Sequence, residues 1–475
     1  MHVVVIGGGP AGVSAALTSA AFGTDVTLIE RGRVGGTALN AGPAPVRTLA
    51  RAARLVRDWN SWDGFGLRGP KPDVDLAATL ANATRVADYA HQHRRIGDHI
   101  RSQGVMVVEE AGDAEFFDDH TVKAPDGRTW EADRVVIAVG GRPARPPIPG
   151  VDLALTFEDI RSLQALPRRA VVIGASDTGC QLASILADFG CHVAVLQRGS
   201  RILSRADADV SDEMERAFRS RGIDVLTSAS VERFEPLASG VRVVYRVGAE
   251  ARSADVDAAF LATGWPGNAD RINTSAAGVA IDDGYVVVDP FLRTGVPHIY
   301  AAGDIDGHSM LVSSALLEGR VAGENAVVGP VRRLQHEVVP AGSFTDPEYA
   351  SVGLTEEEAR ATQPCAVAVA RYRDLLRPVA DGQPEGFCKL IVDAGTRRIV
   401  GAHVLGEYSA EVIQMVAACM AAGMAIEEVA ELQFAFPTFT EGVSQAARML
   451  VRDLGIRTMP QLWSSLDPRA SAAFK

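Results

Sequence analysis

The sequence predicts an α/β protein with two doubly wound domains and a third domain of α+β type. Three observations carry this. The chain opens with an apolar strand, a glycine turn and a helix of small residues; the same succession returns from Ala170; and from Phe344 onward strands and helices follow without a third glycine turn. A strand that feeds a helix and then a second parallel strand is a βαβ unit, and two such units make two Rossmann-like dinucleotide-binding domains.

Residues 3–6 form the first strand, Gly7 to Gly12 the turn, a helix runs to about Phe22, and a strand over 26–29 ends at Glu30. Residues 135–141 read as a buried strand leading into a crossing rich in proline, Arg142-Pro143 and then Pro146 to Gly150; proline and glycine end regular structure there. The second unit has a strand over 170–173, the turn Gly174 to Gly179, a helix to about Phe189 and a strand over 193–196 ending at Gln197. Residues 260–264 leave this domain, and 298–304 return the chain to the first. Two helices, around 410–422 and 440–451, belong to the third domain. The expected boundaries are 1–150 with 265–335 for the first domain, 151–264 for the second, 336–457 for the third and 458–475 for a loosely packed tail.

Composition narrows the function classes. An apolar fraction of 47% and a charged fraction of 22% over 475 residues describe an ordinary globular chain with a large core. A net charge of -12 without a block of like charge argues against nucleic acid as the main partner. Cys180, Cys191, Cys365, Cys388 and Cys419 have neither C-x-x-C nor metal-ligand spacing and suit reduced thiols. His91, His93 and His99 lie with Arg94, Arg95 and Arg101 on a polar helical stretch that reads as an exposed face and not as a metal site. The uncharged segment 2–24 lacks a basic leader and its glycines divide it, so neither a targeting segment nor a membrane span is expected and the cytoplasm is the default.

The turn Gly7-x-Gly9-x-x-Gly12 sits between a strand and a helix, with Glu30 closing the second strand. Glycines permit the tight turn and let a pyrophosphate approach the helix N-terminus, where free N–H groups and the helix dipole favour anions. Glu30 accepts hydrogen bonds from a ribose diol and repels a 2′-phosphate, which suits FAD or NAD. In the second turn, Gly174-x-Ser176-x-x-Gly179, a small hydroxyl takes the middle position. Gln197 replaces the acid and is followed by Arg198, then Arg201 and Arg205. A charge-assisted bond to a 2′-phosphate is worth about 1.5–3 kcal/mol, roughly 10- to 150-fold in affinity. NADPH is expected over NADH, which remains open.

Residues 35–47, Gly-Gly-Thr-Ala-Leu-Asn-Ala-Gly-Pro-Ala-Pro-Val-Arg, resemble the redox segment of the pyridine nucleotide-disulfide oxidoreductases, G-G-T-C-L-N-V-G-C-x-P-S-K, with Ala38 and Pro43 at the two cysteine positions. Residues 434–441, Phe-Ala-Phe-Pro-Thr-Phe-Thr-Glu, stand where the family keeps H-x-H-P-T-x-x-E, residues 300–304 resemble its second flavin motif, and residues 344–355 its interface-domain opening. The resemblance runs from Val3 to about Leu454. It implies FAD beside Gly7, Gly9, Gly12, Glu30, Gly36, Thr37, Arg47, Gly140 and Asp304, and a nicotinamide nucleotide beside Gly174, Ser176, Gly179, Gln197, Arg198, Arg205 and Gly264. It also implies a homodimer in which the segment with Phe436 and Glu441 reaches the partner's flavin pocket. A family lysine at the position of Arg47 pairs with a glutamate at the position of Gln181. The cation left behind would favour reduced flavin unless Arg47 has another acid.

The expected reaction is hydride transfer from NADPH to FAD and onward to a small acceptor, with Arg47, Gln181, Phe436 and Glu441 around the reacting centre. A flat, quinone-like acceptor fits an aromatic pocket. A soluble transhydrogenase is the alternative, since that branch also lacks the full cysteine pair and carries F-x-Y-P-T in the tail. A non-catalytic FAD-binding protein and a specialised pathway flavoenzyme remain open. Disulfide or mercuric reduction is not expected, because Ala38 and Pro43 offer no thiolate.

Overall fold

The computed structural model describes residues 1–335 and 338–457. Its first sheet is parallel and five-stranded, in the order Ile299–Ala301, Arg134–Ile137, His2–Ile6, Asp25–Ile29, Met106–Val108. Val3, Val4 and Val5 are wholly buried on the central strand, as both faces of a parallel sheet are covered. The chain leaves that strand on one side while Arg134–Ile137 pairs on the other, and a crevice opens outside the strand ends at such a point.

The second sheet repeats the plan, with Asp224–Leu226, His192–Leu196, Arg169–Ile173 and Ala258–Leu261 in parallel. An antiparallel trio, Ala229–Pro236, Val241–Val247 and Glu250–Val256, covers one face by packing Phe234, Val243 and Tyr245 on Val171 and Ile173. Leu182, Met214 and Phe218, from the helices Asp177–Asp188 and Ala208–Ser220, cover the other. The third domain is an antiparallel five-stranded sheet, Ala341–Ser343, Tyr349–Gly353, Ile399–Leu405, Phe387–Asp393, Cys365–Arg371, with the helices Ser409–Ala421 and Glu441–Asp453 packed against it.

Several expected elements are shorter or more numerous. The strand expected over 135–141 ends at Ile137, and the one over 260–264 spans Ala258–Leu261. Each stops where its next carbonyl meets a glycine turn: a Cβ on Gly7 would lie 2.3 Å from Ala138 O, and one on Gly174 2.2 Å from Ala262 O. The helical stretch with the histidines breaks at Arg95, whose φ is +43°, into Leu76–Arg94 and Ile96–Ser102. Three further helices of the third domain, Glu356–Thr362, Leu376–Ala380 and Ile426–Ala430, are too short to show a period. The tail 458–475 and the boundary at 336 lie outside the described residues. Among those, no helix is long and apolar enough to cross a membrane.

Three joints hold the cleft walls. The helix Pro10–Ala21 crosses Val312–Val328 so closely that a Cβ on Gly319 would lie 2.1 Å from Ala11 O and one on Gly323 2.5 Å from Ala15 O. Arg54, on the helix Pro43–Arg57, pairs with Glu348 at 2.9 Å and Glu407 at 3.3 Å, and Arg57 pairs with Asp346. Lys389 is 2% exposed and bonds Asp207 and Asp209 at 2.8 Å and Glu356 at 2.6 Å, tying the second domain to the third. Buried pairs of this kind hold register between surfaces more than they add net stability.

Candidate functional site

Both glycine turns open into one continuous cleft of about 2760 Å³. Its first half is a cradle of bare backbone. Gly12 has no room for a side chain, since a Cβ there would lie 1.8 Å from Gly7 O, and one on Gly36 would lie 2.7 Å from Gly9 Cα. The helix Pro10–Ala21 presents its free N–H groups at this point with no acid in its first turn. Glu30 is 8% exposed and accepts from Gly8 N at 2.7 Å and Gly32 N at 2.9 Å. Burial pushes its carboxyl up while those two N–H groups pull it down. A carboxylate has about four lone-pair sites, so two stay free for the hydroxyls of a ribose. Gly140, with φ +64°, and Thr37 line the same half.

Asp304 lines the cleft just after Gly303, where a Cβ would lie 2.9 Å from Ala11 Cβ, and is anchored there. The indole N–H of Trp265 donates to its Oδ2 at 2.8 Å, and burial raises its carboxyl against that bond. Trp265 follows Gly264, where φ is +147°, and no sequence motif marks it. The donor set fits FAD: a cradle that Cβ atoms would fill, a helix N-terminus, a buried acid and a second acid further along.

The second half repeats the first with changed chemistry. A Cβ on Gly179 would lie 1.9 Å from Gly174 O, as at Gly12. Ser176 precedes the helix Asp177–Asp188 and its hydroxyl makes no cap bond. Gln197 takes the place of Glu30, accepting from Ala175 N at 3.2 Å, but it brings no charge. Arg198 and Arg205 reach the cleft. Arg201 instead donates to Ser204 O at 3.3 Å.

At the floor, Ala38, Pro43, Arg47 and Gln181 line the cleft together. Arg47 forms no ion pair with a described residue. Its guanidinium lies over the Phe344 ring, and desolvation by the cleft walls lowers its proton affinity while the fields of Glu348 and Glu411 raise it. All five cysteines are free. Cys180 and Cys388 are wholly buried, and burial pushes the thiols of Cys191 and Cys388 up to about 12.

Phe436 and Glu441 do not join this group within one chain. Phe436 is 63% exposed, whereas Phe439 is buried against Tyr372 and Tyr408, with ring centroids 5.3 and 5.0 Å away. Glu441 begins the helix Glu441–Asp453, where burial raises its carboxyl and the side chain of Gln445 lowers it. One group with metal-ligand composition lies among the described residues, Asp119, His120 and His298. Its two imidazoles stack at 3.9 Å and 2°, so their in-plane lone pairs do not converge on one point.

Comparison with known proteins agrees with this geometry. A family model described as pyridine nucleotide-disulphide oxidoreductase matches residues 1–319, and the model of that family's dimerisation domain matches 339–447. A mercuric reductase of Lysinibacillus sphaericus is 30% identical over 95% of this chain and 83% of its own length. A soluble pyridine nucleotide transhydrogenase of Vibrio cholerae is 32% identical over 94% of this chain and 97% of its own. The structure of the HOCl-induced flavoprotein disulfide reductase RclA from Escherichia coli superposes with a TM-score of 0.84 at 26% identity, covering 95% of this chain and 100% of that one. The chain therefore belongs to the pyridine nucleotide-disulphide oxidoreductases, flavin-dependent enzymes that bind FAD and NAD(P)H.

Proposed function

We propose that this protein is an FAD-dependent NADPH oxidoreductase that works without a redox disulfide and reduces a flat, quinone-like acceptor. The observation that carries the reading is the cleft floor, where Ala38 and Pro43 stand at the family's cysteine positions and no cysteine of the described residues lines the cleft. Bound FAD would supply two-electron transfer between nucleotide and acceptor. The chain's own residues do the rest. Glu30 holds a ribose, the turn at Gly7, Gly9 and Gly12 seats the pyrophosphate, and Gly36 leaves space for it. Trp265 fixes Asp304 for the polyol chain. Arg47, over the Phe344 ring, keeps a cation at the floor.

NADPH is favoured because Gln197 brings no charge to repel a 2′-phosphate while Arg198 and Arg205 lie beside it. The matched dimerisation domain supports a homodimer, in which the exposed Phe436 covers the partner's cleft with an aromatic wall and Glu441 stands behind it. The free thiols suit the cytoplasm. A transhydrogenase is the second reading, favoured by the Vibrio cholerae relative.

Anaerobic mixing with NADPH tests the first half by bleaching of the flavin absorbance. An acceptor panel tests the second, with a quinone expected to turn over and NAD, lipoamide, glutathione disulfide and Hg(II) expected not to. Turnover of a disulfide comparable with that of the quinone overturns the reading, and faster turnover of NAD moves it to the transhydrogenase.

A further inference from the structure

The two glycine turns are built alike and differ in charge at one place. Pro10 begins the first helix, whose first turn carries no acid, whereas Asp177 begins the second. A carboxylate at that position competes with a pyrophosphate for the same N–H groups and repels it. Taken alone, Asp177 would weaken the anion site that Gly174 and Gly179 make possible.

Tyr349 engages this carboxylate. Its hydroxyl donates to Asp177 Oδ1 across the boundary between the second and third domains. The tyrosine is 8% exposed and begins a strand that pairs with Ser343 on one side and Leu405 on the other, so the donor is fixed. Both residues line the cleft.

The rest of the helix is docked on the same segment. Ser184 accepts from Asp346 N at 3.0 Å, and Asp188 pairs with Arg221, which also reaches Asp346 at 3.2 Å. Positions 177, 181, 184 and 188 recur at helical spacing and form one face. Residues 346–349 hold that face at both ends, with Asp177 at the cleft end and uncharged Gln181 a turn further in.

We propose that Asp177 and Tyr349 form an interdomain latch that sets the affinity of the second turn for the pyrophosphate of its dinucleotide. The inference rests on the reading of that turn as the NADPH site. Tyr349 turns the carboxylate from the helix N-terminus and shares its charge, which leaves the N–H groups to the phosphate. Both are positioning residues. Loss of the hydroxyl returns the carboxylate to the helix end, where a charge changes anion affinity by about 2- to 5-fold, and more where partly buried.

The test is equilibrium binding to the FAD-loaded full-length protein, with NADP+ as the non-reducing dinucleotide and adenosine 2′-monophosphate as a probe without pyrophosphate. Tyr349→Phe is expected to weaken NADP+ by about 5-fold and Asp177→Asn to tighten it by about 2-fold or more. In the Asp177→Asn background, Tyr349→Phe is expected to change nothing further, and adenosine 2′-monophosphate is expected to bind all four proteins alike. Equal weakening by Tyr349→Phe in both backgrounds, or equal loss of both probes, overturns the latch in favour of a packing role. Unchanged NADP+ affinity in every variant overturns it while the nucleotide reading stands. A wild-type protein that binds neither probe removes that reading, and the latch with it.

Discussion

The guanidinium of Arg47 lies over the ring of Phe344, with Cζ 3.1 Å from the centroid, and the two meet at the cleft from different domains. Stacking places the cation without pairing it, so its field acts on whatever binds above. Arg47→Met is expected to make bound FAD harder to reduce, lowering its midpoint potential by about 30 mV or more, where 30 mV is ~1.4 kcal/mol for two electrons. Potentiometric titration reads this directly, and an unchanged potential would mean that Glu348 and Glu411 already cancel the charge.

On the proposed reading, Arg198 sets the nucleotide choice. Arg198→Ala is expected to weaken use of NADPH by about 10-fold or more and to leave NADH nearly unchanged. Steady-state kinetics with both nucleotides decide it, and equal losses would remove the 2′-phosphate contact.

Phe436 is exposed in one chain, and on the proposed reading it faces the partner's cleft across a two-fold axis. Phe436→His is expected to leave flavin reduction by NADPH nearly intact and to alter reoxidation by a quinone. Stopped-flow traces of the two half-reactions separate these, and a variant slowed only in reduction would place the residue elsewhere.

Gly319 has backbone against it, with Ala11 O where a Cβ would be. Gly319→Ala is expected to cost about 1–3 kcal/mol and to lower FAD content, because Ala11 belongs to the helix that begins at the first cradle. Thermal unfolding and the absorbance ratio of flavin to protein report both effects; wild-type values in both would show that the helices shift apart freely.

Glu318 is fully buried, accepts from Gly303 N at 2.7 Å, and is held at about 8 by burial and then by the field of Asp306. Between the ordinary carboxylate range and that value, the folded chain keeps a proton that the unfolded chain has lost. Stability from this group is therefore present at low pH and declines as pH rises through about 8. Glu318→Gln removes the titration and is expected to improve stability relative to wild type by about 1–3 kcal/mol more at pH 8 than at pH 5. Parallel pH profiles for the two proteins would refute it.

Both glycine turns were legible because backbone contact demands glycine at Gly12 and Gly179, and no side chain can substitute there. Family membership followed from whole motifs in order. Strand ends were misjudged at Ala138 and Ala262 because apolar residues continue past the point where the carbonyl turns to the glycine. The partners of Asp304, Arg47 and Asp177 were not legible at all. Phe344 and Tyr349 are brought to Arg47 and Asp177 by docking of the third domain, and Trp265 reaches Asp304 from 39 residues away within the first, and no local spacing encodes such contacts. Helices of five to seven residues likewise leave no period to read.

The thiols of Cys180, Cys191, Cys388 and Cys419 lie in the interior, where burial keeps them protonated. On the proposed reading, the electron capacity of each subunit is that of its flavin alone: a reductive titration ends after two electrons, where a flavin with an adjoining disulfide would take four. Alkylating agents and peroxides, which silence a dithiol by attacking its thiolate, then find no thiol in the cleft to attack. Turnover is expected to persist in chemical surroundings that inactivate a thiol-based reductase.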